Sequence, residues 1–211
     1  MAKMKKVGKR GKRIAAPVIE ESTAPTLYGE VFWCRVTLFA LVILFTSLAF
    51  LFYFKVIPKQ FFYSTLVLCA VGWFAIEYAV WKAEIERIKK ALFVGLLLML
   101  FDFVFENAGW LLGLWATHES IFAIGVVPIE IMLVCVFGGA AWALYLPRKF
   151  DRLHSAMDII VIAVYGALGE HLLRLAGLMS YYGWWNIGCA MISYALTFAL
   201  FNWVRYQIMK E

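Results

Sequence analysis

Charge is scarce in this chain: only 16% of its 211 residues are Asp, Glu, Lys or Arg, whereas 64% are hydrophobic. No single soluble core of that length hides so much apolar surface, so the remainder must face lipid. Cysteine is sparse and dispersed. Cys34, Cys69, Cys135 and Cys189 stand far apart, three of them inside apolar runs, which argues against both a CxxC metal site and a disulfide framework. Within the apolar runs a helix-breaking proline occurs only at Pro128, near a segment end. GxSxG elbows, phosphate loops and HExxH pairs are all missing, which removes the common soluble-enzyme chemistries. Neither a metal nor a cofactor is expected.

What is present is a run of six long apolar segments, expected as transmembrane helices at 36–57, 61–81, 91–115, 121–146, 156–178 and 184–204. Each is near the roughly 20 residues that carry a helix across about 30 Å of hydrocarbon. Helix is the spanning choice because open strands would leave backbone groups unpaired in lipid. The expected fold class is therefore all-α, a polytopic bundle over 36–204. It follows a basic, disordered arm at 1–35 and precedes a short tail at 205–211. The arm, with Lys3, Lys5, Lys6, Lys9, Arg10, Lys12 and Arg13, suits anionic headgroups better than nucleic acid, for which groove-reading elements are lacking. The first apolar run exceeds a signal-peptide core and is expected to be an uncleaved anchor.

Basic residues give the expected orientation. The arm with Arg35 and the linkers 82–90 and 147–155, together with the tail, hold 17 of the 20 Lys and Arg residues, so these parts and both termini belong in the cytoplasm of a cell membrane. The opposite linkers 116–120 and 179–183 hold none. Trp33, Trp81, Trp142 and Trp203 near one set of segment ends, and Trp110, Trp115, Trp184 and Trp185 near the other, read as two interfacial belts.

Carboxylates deep in a bilayer cost several kcal/mol and mark sites by default. Asp102 and Glu106 stand four apart in the third segment, Glu130 lies in the fourth, and Glu170, His171 and Arg174 lie in the fifth. Glu106, Glu130 and Glu170 are each nine residues from an outer marker (Trp115, Ile121, Met179), roughly 13 Å deep, which predicts one shared layer with Asp102 a turn below. Gly109 and Gly113 continue the face of Asp102 and Glu106, and Gly166, Glu170 and Arg174 repeat at four, so the third and fifth helices are expected to pack along small, polar faces. Such faces also admit a second copy of the chain. Asp102, Glu106, Glu130 and Glu170 are the candidate catalytic acids, with Arg174 as the cation of a structural ion pair. The competing reading makes the acids hydrogen-bonded helix glue. Glu77 and Asp158, near the cytoplasmic ends, are expected to snorkel to water, and His118 and His154 to be solvated in linkers.

The stretch from Asp102-Phe103-Val104-Phe105-Glu106 through Gly113-Leu114-Trp115 to Pro128-Ile129-Glu130 resembles the membrane-embedded lycopene cyclase and carotenoid hydratase superfamily, whose members carry an intramembrane acid, a Gly-x-Trp and a Pro-x-Glu opening the next helix. Ile131 stands where the cyclases usually carry a second glutamate. The resemblance implies an enzyme without redox cofactor that protonates a double bond of a long isoprenoid, then releases a proton or adds water. A buried carboxylic acid is a competent proton donor in such a pocket, and Phe101, Phe105, Trp110 and Trp115 offer ring faces to a carbocation. Two other classes fit the same composition: a small proton-coupled transporter, and a non-catalytic membrane assembly subunit held by its GxxxG-type faces.

Overall fold

A computed structural model describes residues 27–210 apart from Lys82, Glu119 and Ile121. Most of the expected basic arm lies outside these residues. The described residues form an all-α membrane bundle of six helices: α1 (Leu27–Tyr53), α2 (Phe62–Trp81, entered by a 3-10 turn at Lys59–Phe61), α3 (Ile85–Leu111), α4 (Ile129–Tyr145), α5 (Arg152–Leu175) and α6 (Ile187–Ile208). Four stretches, Gly29–Tyr53, Lys59–Trp81, Arg152–Leu175 and Ile187–Ile208, are long and apolar enough to cross a bilayer. Large apolar side chains such as Phe39, Leu68, Leu196 and Trp203 point outward, as lipid-facing positions require.

Several boundaries differ from the hydropathy reading. Helix α1 starts upstream of Val36, and α3 starts at Ile85, which turns Arg87, Lys89 and Lys90 from linker into helix. At the far end α3 and α5 stop early, because Gly113 (φ 64°) and Gly177 (φ 74°) adopt the left-handed conformation. Each glycine closes the same cap: Leu114 N–H donates to the Gly109 carbonyl at 2.9 Å, and Leu178 N–H to Leu173 at 2.8 Å. The chain then leaves each helix as a short strand, β1 (Trp115–Thr117) after α3 and β4 (Met179–Tyr181) after α5. These pair antiparallel with Trp115 opposite Tyr181. A second ribbon, β2 (Ala123–Ile124) with β3 (Val127–Pro128), turns at Gly125 and delays α4 to Ile129. Pro128, with φ fixed at −58° and no N–H to leave unpaired, precedes the first turn of α4.

Helix α4 forms the centre. Gly139 of α4 crosses Gly95 of α3 so closely that a Cβ on Gly95 would lie 2.1 Å from the Val136 carbonyl oxygen. The expected GxxxG contact is replaced by this crossing, since Gly109 instead seats the Trp115 ring and Gly113 lies beyond the helix. Helix α3 packs mainly on α4, and α5 on α6, so α3 and α5 do not form the extensive contact expected of them. The carbonyl end of α4 is fully buried. Arg205 of α6, expected in a solvated tail, meets it there, donating to Ala143 (3.0 Å), Leu146 (2.8 Å) and Pro147 (3.0 Å). Arg87 adds a bond to Leu144 at 3.3 Å. Two cations thus complement the negative end of the helix dipole.

Candidate functional site

All six helices line one cavity of about 350 Å³. Asp102 and Glu106, one turn apart on α3, share a face that looks into it, and Glu170 reaches it from α5. Glu106 of α3 and Glu170 of α5 are held by the β1–β4 ribbon. Because Trp115 pairs with Tyr181, one strand delivers an indole N–H to Glu106 Oε2 at 2.9 Å and the other delivers a phenol O–H to Glu170 Oε2. Burial, and then the bond to Glu170, push the Tyr181 hydroxyl above the ordinary phenol range, so it stays a donor. The Trp115 ring is fixed by Trp185 (centroids 4.4 Å apart) and Phe105 (5.1 Å). Tyr194 lies beside Glu170, and Cys135 beside Asp102. Asp102 nevertheless keeps a buried oxygen, Oδ2, with no hydrogen-bond partner among the described residues.

Of the four candidate acids, the structure gathers three. Glu130 is not in the cavity wall. The β2–β3 hairpin occupies what was expected to be the outer turns of the fourth helix, which puts Glu130 in the first turn of α4 rather than at the depth of Glu106. It is buried there, near the favourable positive end of the helix dipole. Arg174 is also elsewhere. It is exposed, its guanidinium lies 4.3 Å from the centre of the Tyr181 ring, and it forms no ion pair among the described residues. The break after Leu175 folds Tyr181 back over Arg174, so a cation–π contact takes the place of the expected salt bridge.

A second buried polar cluster occupies the opposite end, where snorkelling was expected. Glu77 and Asp158 are each only 1% exposed. Glu77 accepts from Trp73 (2.9 Å) and Trp81 (2.7 Å), and Asp158 from Trp142 (2.7 Å). Trp142 is therefore core rather than belt, whereas Trp33 and Trp203 are exposed. The tryptophans four residues either side of Glu77 were the sequence signal for its burial. His154, expected in water, is 0% exposed in the first turn of α5 with its ring against Tyr145. His118 is half-buried and bonds Ser180 across the ribbon at 3.1 Å.

Fold and site together define a polytopic membrane protein with an acid-bearing, largely apolar cavity between its helices. No protein-family model, curated protein or solved structure matches this chain.

Proposed function

We propose that this protein is a membrane-embedded enzyme that modifies a long isoprenoid by acid–base chemistry. One observation carries the reading: Asp102, Glu106 and Glu170, from two helices, converge on a single apolar cavity walled by aromatic rings. A hydrocarbon offers nothing for charged side chains to grip, so the wall supplies the binding and the acids supply the reactivity.

In the proposed reaction Asp102, the acid with an unengaged oxygen, transfers its proton to one carbon of a C=C bond. The π pair becomes the new C–H bond and leaves a carbocation on the other carbon, facing Phe101 and Phe105. A carboxylate of the trio then removes a proton from an adjacent carbon, whose C–H pair becomes the new π bond. No electrons are gained or lost, and proton exchange within the trio restores the starting state. Capture of water by the carbocation instead, with the oxonium proton passed to a carboxylate of the trio, gives an alcohol.

Chromatography of isoprenoids from cells with and without the protein tests the reading. A product isomeric with its precursor, or heavier by one water, supports it. An unchanged profile favours a proton-coupled transporter or an assembly subunit instead. The same reading puts the end bearing Arg87, Arg148 and Arg205 in the cytoplasm of a cell membrane, on the strength of the basic-residue asymmetry. Reporters fused after residue 211 should then read cytoplasmic and reporters within 116–120 external; the reverse result refutes the orientation.

A further inference from the structure

The dimensions and charge of the cavity constrain its ligand beyond the presence of acids. On α5 the wall runs from Asp158 to Leu173, and on α1 from Leu38 to Phe52. At 1.5 Å per residue both runs give a length of about 21–23 Å. An extended isoprenoid, with carbon–carbon bonds near 1.5 Å in a zigzag, advances about 5 Å per five-carbon unit, so about four units fill this length. Twice that chain would also exceed the roughly 30 Å of hydrocarbon around the bundle. Spread along its length, 350 Å³ holds one chain and not two.

Charge narrows the class further. Among the described residues no Lys or Arg lines the cavity, whose charged groups are carboxyls alone. A prenyl diphosphate would meet like charge without a counter-ion. At the end away from the trio the carboxyl in the wall is Asp158; its Oδ2 accepts from the Trp142 indole at 2.7 Å, and a carboxyl has acceptor sites left for a hydroxyl. We infer that the ligand is a single neutral, linear isoprenoid of about four units, an alcohol rather than a diphosphate, lying along the bundle axis with its hydroxyl at Asp158. Glu170 is 12 residues along α5 from Asp158, about 18 Å, so the trio meets the last one or two units of the chain. This takes from the enzyme reading only the isoprenoid class.

Gly169 supplies a clean plug. It lines the cavity, and a Cβ built on it meets nothing within 4 Å, so Gly169→Leu starts its side chain in open space on the cavity wall. The test uses full-length protein in lipid nanodiscs, titrated with all-trans prenyl alcohols of two, three and four units, the eight-unit polyene lycopene, the four-unit prenyl diphosphate and the straight-chain C20 alkanol. Quenching of tryptophan fluorescence reads binding, and uptake of each ligand by protein-free nanodiscs corrects for partition into lipid. The four-unit alcohol should bind at least about tenfold more tightly than the two-unit alcohol, the diphosphate, lycopene or the alkanol. Gly169→Leu should weaken it by at least about tenfold and leave the two-unit alcohol unchanged. Tighter binding of the diphosphate or of lycopene, equal binding of the alkanol, absence of a length optimum, or indifference to the plug would each overturn the inference. Because binding is read without turnover, the two readings fail separately. A four-unit alcohol that binds but is returned unchanged retires the enzyme reading alone, and product from lycopene without four-unit binding retires this inference alone.

Discussion

Both ends of the bundle bury carboxyl groups, and the two ends treat them differently. At the arginine-bearing end Glu77 has an indole on each oxygen, and the carbonyls of α4 are met by Arg205 and Arg87. Around the trio Trp115 serves Glu106 and Tyr181 serves Glu170, while Asp102 has Cys135 beside it and retains an unpartnered oxygen. An unmade hydrogen bond in a buried site costs about 1–3 kcal/mol. The contrast lies in the pairing: Glu77 is held on both oxygens away from the cavity, whereas the trio lines the cavity and Asp102 keeps one oxygen free of partners among the described residues.

Substitutions can break that contrast, and the largest effect is expected at Arg205. Arg205→Met strips three buried carbonyls of a charged donor and should cost about 3 kcal/mol or more in detergent unfolding. A loss below about 1 kcal/mol would mean that water reaches the end of α4. Glu77→Gln comes next. Its amide nitrogen faces an indole N–H where an acceptor stood, and stability should fall by about 1–3 kcal/mol in the same assay. Glu106→Gln is the matched substitution in the other cluster and keeps one acceptor for Trp115, so stability should change by less than about 1 kcal/mol. Isoprenoid conversion should meanwhile fall by about a hundredfold or more. If the two glutamine variants behave alike, the division between the clusters collapses. Arg174→Met should be the mildest, within about 1 kcal/mol, because an exposed cation over a ring is all that it removes.

Helical spacing carried Asp102, Glu106 and Glu170 to one cavity, because nine residues separate both Glu106 and Glu170 from the strands that follow and the two helices end in the same glycine cap. The same arithmetic misplaced Glu130. Hydropathy does not distinguish an apolar hairpin from an apolar helix, so the turn at Gly125 lies inside what hydropathy alone gives as one continuous span. Trp142 and Asp158 depart from expectation for a related reason: position along a segment reports depth in the membrane, whereas burial depends on which neighbour covers the residue. Arg205 shows the limit from the other side, since its carbonyl partners lie on a helix some 60 positions earlier and leave no local trace.

The most direct test of the central claim is solvent labelling of the product. Cells or nanodisc protein supplied with isoprenoid precursor in D2O should yield product with a carbon-bound deuterium at the former double bond, because the donated proton comes from an exchangeable carboxyl. Asp102→Asn should yield neither product nor label while remaining folded, and Glu130→Gln should match the parent. Unlabelled product from the parent, or full labelling with Asp102→Asn, would contradict the account.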